Sequence, residues 1–351
     1  MKKSLLFLHS VIFIFLLLCS CKGNESDEGN SAVTYISVSS EGGNEKLLGK
    51  TFTFKVKDNL SSDVTSQSKI YVNNQLINGN TYTPLEKGTY NVKATYKDLP
   101  VNPISVNSVV NEGVAFKHRI LYEDFTGTWC GYCTIALARH DNLSLQTGDY
   151  VFMGIHGPEG TTDPWANATS TEMEVLKNIT EWPGMFINRN IVWVYDSNYT
   201  DMSLPLSQIK AYSRIGIKMN STISGNKVNI EARVFFTENL DNLKIAAFIV
   251  EDELVHNQKN YIGTLYGGGS AIYNYTHHNV LRNKLGSVTG DPIPDSQTVI
   301  SNEYIRSFQY NILSGFNPEH LKVIIMILDE NGSVLNVREE KIGTNNSYEF
   351  L

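Results

Sequence analysis

The chain has 351 residues, of which 41% are hydrophobic, so it can bury more than one core, and its length favours two or three domains over a single compact one. Its formal charge is -7 at pH 7, and no basic run follows the first residues. Nucleic acid and anionic membrane surfaces bind clustered Lys and Arg, so this charge pattern argues against both as the main partner.

The first twenty residues have the pattern of an export signal. Two lysines precede an apolar run from Leu5 to Leu18, which is shorter than the roughly 20 apolar residues of a membrane span. The run ends in Leu18-Cys19-Ser20-Cys21, which resembles the lipobox of bacterial lipoproteins, whose final Cys is lipidated and begins the mature chain. We predict a lipoprotein signal peptide over residues 1–20 and a lipid on Cys21. An ordinary secretory signal is the alternative, and on both interpretations the protein leaves the cytoplasm.

The next two segments lead from the membrane to a first folded unit. Residues 21–31 offer no apolar side chain to bury after Cys21, and we predict a flexible tether. From residue 32 to 112 apolar residues alternate as in strands, for example Phe52, Phe54 and Val56, and turn-forming residues separate the runs. This pattern favours an immunoglobulin-like β-sandwich without the Cys pair of true members, acting as a passive spacer.

A strand-helix-strand pattern begins near Lys117. Arg119 to Phe125 is predicted to be a strand, Ile135 to Gln146 a helix and Tyr150 to His156 a second strand, which together form a βαβ unit with a parallel pair. Further elements are predicted at Met173 to Ile179 (helix), Met185 to Asn188 and Ile191 to Tyr195 (strands), and Leu204 to Ser213 (helix). These elements predict an α/β domain over residues 115–215.

Strand-like alternation returns after Ile215. The predicted strands are Lys227 to Phe236, Leu243 to Val250, Leu321 to Leu328 and Val334 to Lys341. Tyr261 to Ser301, rich in Gly, Asn and Tyr, is predicted to be one long irregular loop. Residues 216–351 are therefore predicted to form a second β-sandwich.

The residues with the clearest chemistry are Cys130-Gly131-Tyr132-Cys133, at the junction of strand and helix. In this context the spacing is typical of a redox pair. Cys130 is expected in the exposed first turn of the helix, where free N–H groups and the helix dipole favour the thiolate that attacks a disulfide. Cys133, one turn later, can then resolve the mixed disulfide.

Other interpretations of these residues stay open. Half of a zinc site would need further ligands, but there is no second Cys pair and no His at ligand spacing, so we predict neither metal nor cofactor. The pair could also be an inert disulfide retained from a redox ancestor. His277-His278, near Tyr273 and Tyr275, could bind a ligand, although a polar loop is the preferred interpretation.

The sequence around the cysteines resembles the thioredoxin superfamily. Asp124-Phe125 precede Cys130 at the family's spacing, Trp129 stands where the family has its Trp, and Trp182-Pro183 precede a predicted strand where the family has a cis-proline. The resemblance implies that Asp124 is a proton relay and that Pro183 with Trp182 holds a substrate strand. Without that spacing, Asp124 would be an ordinary strand-end carboxylate.

A narrower resemblance runs from Ile120 to the carboxy terminus. Residues 123–130, the Phe-Ile-Asn-Arg run ending at Arg189, Glu251-Asp252, and residues 278–282 are similar to the outer membrane protein twenty-eight-related lipoproteins. In that family a thioredoxin-like domain is followed by a β-rich domain. The resemblance implies a cell-envelope location as an outer membrane lipoprotein, on its periplasmic or surface face.

These observations predict a multidomain protein with a central thioredoxin-like α/β domain, flanked by an amino-terminal immunoglobulin-like β-sandwich and a carboxy-terminal β-sandwich. The leading hypothesis is a thiol-disulfide oxidoreductase or isomerase acting on the thiols or disulfides of exported proteins. The alternative is a surface binding or adhesion lipoprotein that uses the thioredoxin-like domain only as a scaffold. The Gly-Tyr pair between the cysteines indicates no redox direction.

Overall fold

The computed structural model describes residues 32–99, 101–111, 113–158 and 163–351. These residues form a multidomain structure that is rich in β-strands and has few helices. The predicted signal peptide and tether, with the predicted lipid site at Cys21, lie outside the described residues.

The amino-terminal unit consists of two sheets around one core. Its strands are β1 (Ile36–Ser40), β2 (Glu45–Leu47), β3 (Phe52–Asp58), β4 (Lys69–Val72), β5 (Gln75–Leu76), β6 (Thr81–Tyr82), β7 (Gly88–Thr95), β8 (Val101–Asn102) and β9 (Ile104–Val109). In the described part of this unit the strand orders are β6-β3-β1-β8 and β2-β9-β7-β4-β5. Phe52, Phe54 and Val56 of β3 point inward and pack with Val92 and Ala94 of β7. A two-layer unit is therefore present, and its immunoglobulin-like topology stays a prediction.

The central unit contains the predicted strand-helix-strand pattern. Its elements are β10 (Ile120–Thr126), α1 (Thr134–Gln146), β11 (Tyr150–His156), α2 (Ala168–Lys177), β12 (Gly184–Ile187), β13 (Ile191–Val192) and α3 (Ser203–Gln208). β10 pairs with β11 in parallel and with β12 in antiparallel orientation. Every residue of β10 is buried, because the strand lies inside the sheet and both of its faces are covered. Two predicted helices have different bounds: α2 begins earlier than Met173, and α3 ends before Ser213.

The carboxy-terminal strands are β14 (Ile215–Ser224), β15 (Lys227–Phe236), β16 (Lys244–Glu251), β17 (Leu254–Lys259), β18 (Ala271–His277), β19 (Val280–Lys284), β20 (Asp291–Pro292), β21 (Glu303–Asn311), β22 (Leu321–Leu328) and β23 (Val334–Lys341). The prediction of one irregular loop over Tyr261 to Ser301 is wrong, since that segment contains β18, β19 and β20. Apolar and polar residues alternate there only over short runs, which Gly and Asn interrupt. The periodicity was therefore too weak to predict these strands.

One large sheet joins the central and carboxy-terminal units. Among the described residues it has nine strands, in the order β13-β12-β10-β11-β19-β16-β22-β23, with β20 also pairing with β16. The link is a parallel pairing of Gly154 in β11 with Val280 in β19. The sheet therefore crosses the predicted boundary between residues 215 and 216. The second sheet, β14-β15-β21, packs on the carboxy-terminal part of the large sheet around residues such as Ile230, Ile249 and Ile325.

The layers beside β10 position the candidate site. On one face Tyr122 packs with Ala136 of α1, and the Tyr122 hydroxyl donates a hydrogen bond to the Ala136 carbonyl at 3.1 Å. On the other face Leu121 and Phe125 pack with Met173 of α2. Because side chains alternate across a strand, Asp124 lies on the same face as Tyr122, beneath α1.

Candidate functional site

Cys130 and Cys133 form a disulfide in the turn that connects β10 to α1. The S–S distance is 1.99 Å and the two Cα atoms are 5.4 Å apart. The Cys133 amide donates to the Cys130 carbonyl, and Cys133 itself occupies the N-cap position of α1. No side-chain hydrogen bond caps this helix within the described chain. The first turn of α1 therefore adjoins the Cys pair, and its Ile135 amide donates to the Tyr132 carbonyl at 3.2 Å.

The prediction that Cys130 is exposed is wrong. Its exposed fraction is 5%, and that of Cys133 is 0%. The reason is a contact between segments far apart in sequence, since the β17–β18 hairpin lies over the turn. The Gln258 side-chain amide donates to the Cys130 carbonyl at 2.9 Å and to the Gly127 carbonyl at 3.2 Å. No local sequence pattern indicates this contact, because it joins the carboxy-terminal unit to the central one.

Asp124 is a fully buried carboxyl group on β10, the strand that leads into the cysteine turn. The neighbouring group that interacts with its carboxyl oxygens is the Thr126 hydroxyl, and no cation among the described residues offsets its charge. Burial raises the pKa of Asp124 well above its usual range, because an ionised carboxylate would lose its hydration there, and the Thr126 hydrogen bond opposes this only in part. The neutral form of this carboxyl group is therefore favoured.

Trp129, Trp182 and Pro183 also come together, at the end of β10 opposite α1. The rings of Trp129 and Trp182 make an edge-to-face contact with centroids 5.5 Å apart. Trp129 Nε1 donates to the Gly157 carbonyl, and Trp182 Nε1 donates to Glu174. The Trp182-Pro183 peptide bond is cis, as predicted. Pro183 directly precedes Gly184, which pairs with Phe125 in β10, so the proline lies where the strand leads into the cysteine turn.

A His-Asp pair that the sequence analysis missed supports the same turn. His156 Nδ1 lies 3.0 Å from Asp163 Oδ2, and that oxygen also accepts the Thr128 amide at 2.7 Å. Although burial alone raises the pKa of Asp163, hydrogen bonds from His156 and from backbone amides lower it to about 2. The ionised Asp163 therefore fixes the residues just before Cys130. Its spacing from His156 resembles no standard motif, so sequence alone offered no signal.

The histidines singled out from the sequence have different environments. His277 is buried rather than part of a polar loop: it packs edge-to-face on Trp165, with ring centroids 4.7 Å apart, and burial lowers its pKa to about 3. His278 lies beside Asp252, 2.8 Å from its carboxylate, and this hydrogen bond raises the pKa of His278. Among the residues described, no group of three or more His, Cys, Asp or Glu side chains is arranged to hold a metal ion. In the same part of the chain no helix has the length and apolarity of a membrane span.

Comparison with known proteins gives a family match over about half of the chain. Residues 172–346 match the family model described as Outer membrane protein Omp28. The match begins after the Cys pair, so residues 120–171 of the predicted resemblance lie outside it. No curated protein matches the sequence.

Two solved structures from Porphyromonas gingivalis are similar. HBP35 is 16% identical, with a TM-score of 0.52 over 66% of this chain and 77% of that one, which shows a common fold. A domain of the outer membrane lipoprotein Omp28 is 17% identical, with a TM-score of 0.26 over 38% of this chain and 100% of that one. The thioredoxin-superfamily resemblance stays a prediction. Residues 172–346 match the Omp28 outer membrane protein family, and the predicted location as an outer membrane lipoprotein is confirmed.

Proposed function

We propose that this outer membrane lipoprotein exchanges disulfides with exported proteins through Cys130 and Cys133, in a thioredoxin-like unit. The observation that carries the proposal is that one strand-helix junction holds both a disulfide and a buried carboxyl group. The Cys130–Cys133 bond closes the turn into α1, and Asp124 lies beneath that helix with no cation to offset its charge among the described residues. Buried acids with shifted pKa values concentrate at functional sites, because proton transfer there needs a group whose pKa is matched to the task.

The exchange begins with the oxidised pair seen in the structure. A thiolate of an exported protein attacks Sγ of Cys130, so that a substrate–Cys130 disulfide forms and the Cys130–Cys133 bond breaks. Cys133 leaves with the electron pair as a thiolate and takes up a proton. A second substrate thiolate then attacks the substrate sulfur, a substrate disulfide forms, and Cys130 leaves as a thiolate. The substrate dithiol is oxidised, the Cys pair is reduced, and exchange with another disulfide restores it.

The surrounding groups have defined roles in this proposal. Asp124, protonated because burial raises its pKa, gives a proton to the Cys133 thiolate and takes it back when the disulfide re-forms. The uncapped first turn of α1 stabilises the leaving thiolate. Trp182 and Pro183, at the start of β12, offer backbone groups to an extended substrate segment beside Trp129.

Single Cys variants test the proposal. In the exchange that restores the disulfide, Cys130 of the reduced pair attacks a disulfide of an exported protein and Cys133 resolves the mixed disulfide. Cys133→Ser keeps the first step and removes the second, so it is expected to trap Cys130 in covalent complexes with exported proteins. Cys130→Ser is the matched control and is expected to trap none. The measurement is non-reducing electrophoresis after acid quenching. Failure of both variants to trap partners, or more trapping by Cys130→Ser, would favour the alternative below.

The alternative is a surface binding or adhesion lipoprotein in which the disulfide is inert and the α/β unit is a scaffold. The burial of Cys130 under the β17–β18 hairpin favours it, because a reactive thiol needs access. Under this alternative both cysteines can be replaced together without loss of the biological activity.

The anchor is proposed to be a lipid on Cys21. Cys21→Ala is then expected to move the protein from the membrane fraction to the soluble fraction, because the residue that would carry the lipid is replaced. Ser26→Ala, in the predicted tether and outside the Leu18–Cys21 motif, is a control that keeps the cysteine. Unchanged recovery of Cys21→Ala with membranes would contradict the proposed anchor.

A further inference from the structure

The β17–β18 hairpin pairs with the cysteine turn through its backbone. The Lys259 amide donates to the Thr128 carbonyl, and the Tyr261 amide donates to the Gly131 carbonyl, each at 2.8 Å. These amides are two residues apart, as in an extended peptide added to a strand edge. The segment Gln258–Tyr261 therefore lies across Cys130 as a bound strand would.

Side chains between these amides complete the contact. Gln258 and Asn260 point inward and are almost fully buried. Gln258 donates to the Cys130 carbonyl, and Asn260 Oδ1 accepts the Thr134 hydroxyl at 3.1 Å. The Tyr261 ring lies on Gly131, where an added Cβ would come within 2.4 Å of the ring.

The tip of the hairpin, residues 260–270, rests on α1. Leu265 packs against Ile135 and Ala138, and the Tyr266 hydroxyl donates to Asp141 at 2.7 Å. Gly267, Gly268 and Gly269 all have positive φ, so the tip loses much conformational freedom when it is ordered. The contacts around Leu265 oppose that loss, so removing them is expected to favour release of the tip.

The hairpin can leave while the large sheet stays paired. Among the described strands, β17 and β18 pair only with each other, whereas β16 and β19, from which they emerge, lie within the large sheet. Displacing the hairpin exposes Gln258 and Asn260 and opens the small cluster around Leu265. It keeps the pairing of β16 with β19 and β22.

We propose that the β17–β18 hairpin is a displaceable cover that fills a strand-binding site over Cys130. This inference rests on the proposed function, and it identifies the substrate as an extended polypeptide segment that replaces Gln258–Tyr261 on the Thr128 and Gly131 carbonyls. In the covered state the disulfide is protected from solutes. The rate at which the disulfide reacts is then proportional to the fraction of molecules in which the hairpin is displaced.

The test is the rate at which low concentrations of dithiothreitol reduce the Cys130–Cys133 disulfide in the whole protein, followed by thiol alkylation. Leu265→Ser removes the main apolar contact of the tip and is expected to raise the rate about tenfold. Leu145→Ser, on α1 outside the contact with the hairpin and 84% exposed, is the control for the same substitution and is expected to change nothing. Tyr266→Phe, which deletes one hydrogen bond, gives a smaller increase in a variant that keeps its packing.

A further variant disturbs the same contact from the cysteine turn instead of from the hairpin. Gly131→Ala places a methyl group against the Tyr261 ring and is expected to accelerate reduction, whereas Gly148→Ala, with no atom within 4 Å of the added Cβ, is expected not to. Rates equal to the unmodified protein in Leu265→Ser, Tyr266→Phe and Gly131→Ala would overturn the cover.

Combining these variants with Cys133→Ser separates the two proposals. If Leu265→Ser is reduced faster but Cys133→Ser traps no exported protein in that background, the cover is supported and the exchange function is contradicted. If Cys133→Ser traps partners equally with and without Leu265→Ser, and the reduction rates are also equal, the exchange function is supported and the cover is contradicted. More trapping and faster reduction in the Leu265→Ser background support both.

Discussion

Two neighbouring acids on β10, Glu123 and Asp124, are both fully buried but face opposite sides of the sheet. Glu123 Oε1 accepts a hydrogen bond from Arg189 Nε at 3.1 Å, and Arg189 also donates to the Val288 carbonyl. Asp124, toward α1, interacts with the Thr126 hydroxyl and has no cation beside it among the described residues. The first acid is neutralised by a cation; the second can become neutral only by binding a proton.

The difference separates a paired buried acid from one without a cation. Removing either partner of a buried ion pair is costly, because the remaining charge would be left in an apolar surrounding. A buried acid without a cation destabilises the fold whenever it ionises, so its effect on stability depends on pH. The starts of the two helices also differ in whether their polar groups are paired. Asn167 caps α2 with a full capping box, whereas α1 starts at Cys133 without a side-chain cap in the described chain.

The largest expected effect on stability comes from breaking the buried Glu123–Arg189 pair. Arg189→Leu leaves the Glu123 carboxylate buried without its cation and is expected to lower the free energy of unfolding by about 3–5 kcal/mol. Arg306→Leu, which breaks the exposed pair with Asp291, is the control, with an expected loss of at most about 1 kcal/mol. Both are measured by denaturant unfolding. A loss for Arg189→Leu no larger than the control's would remove the distinction between the two acids.

Replacing Asp124 is expected to change the free energy of unfolding by an amount that depends on pH. The folded-state pKa is raised above the unfolded value, so stability from this group is complete below about pH 4 and falls as pH rises toward the folded pKa. Asp124→Asn removes the ionisation. We expect the variant to gain stability relative to the unmodified protein by about 1.4 kcal/mol per pH unit in that window.

The measurement is the denaturation midpoint of both proteins from pH 4 to pH 8. Comparing the two proteins cancels groups that titrate in both. A stability difference that stays constant over this range would mean that Asp124 is not protonated by burial.

The smallest effect concerns the helix starts. Asn167→Ala deletes the capping box of α2 and is expected to cost about 1 kcal/mol of unfolding free energy. Val175→Ala, 76% exposed on the same helix, is expected to change it by no more than about 0.5 kcal/mol. Thermal unfolding of the two variants checks this, and equal losses would show that the cap contributes nothing specific to α2.

Local sequence patterns predicted much of the fold. Tyr150–His156, Lys227–Phe236, Leu321–Leu328 and Val334–Lys341 have the predicted bounds, because long runs of apolar or alternating residues determine a strand locally. The sequence also placed Cys130, Cys133 and Asp124 at one strand-helix junction, since their spacing is short. The catalytic roles assigned to them stay predictions.

The parts that sequence missed all depend on distant contacts. A single residue pair, Gly154 with Val280, joins two sheets into one, and nothing near either residue indicates it. The cover over Cys130 comes from Gln258 to Tyr261, which lie at the start of the predicted loop and just before it, where no strand was predicted. Asp163 reaches His156 and Thr128 only through the folded turn.

The central claim is that Cys130 and Cys133 exchange with other disulfides rather than staple the turn. Its most direct test is the reduction potential of the pair, measured by equilibration of the whole protein in glutathione buffers. The proposed exchange predicts a potential between about -270 and -120 mV, the span of proteins that carry out such exchange. A potential below about -300 mV would identify a structural bond and contradict the proposal.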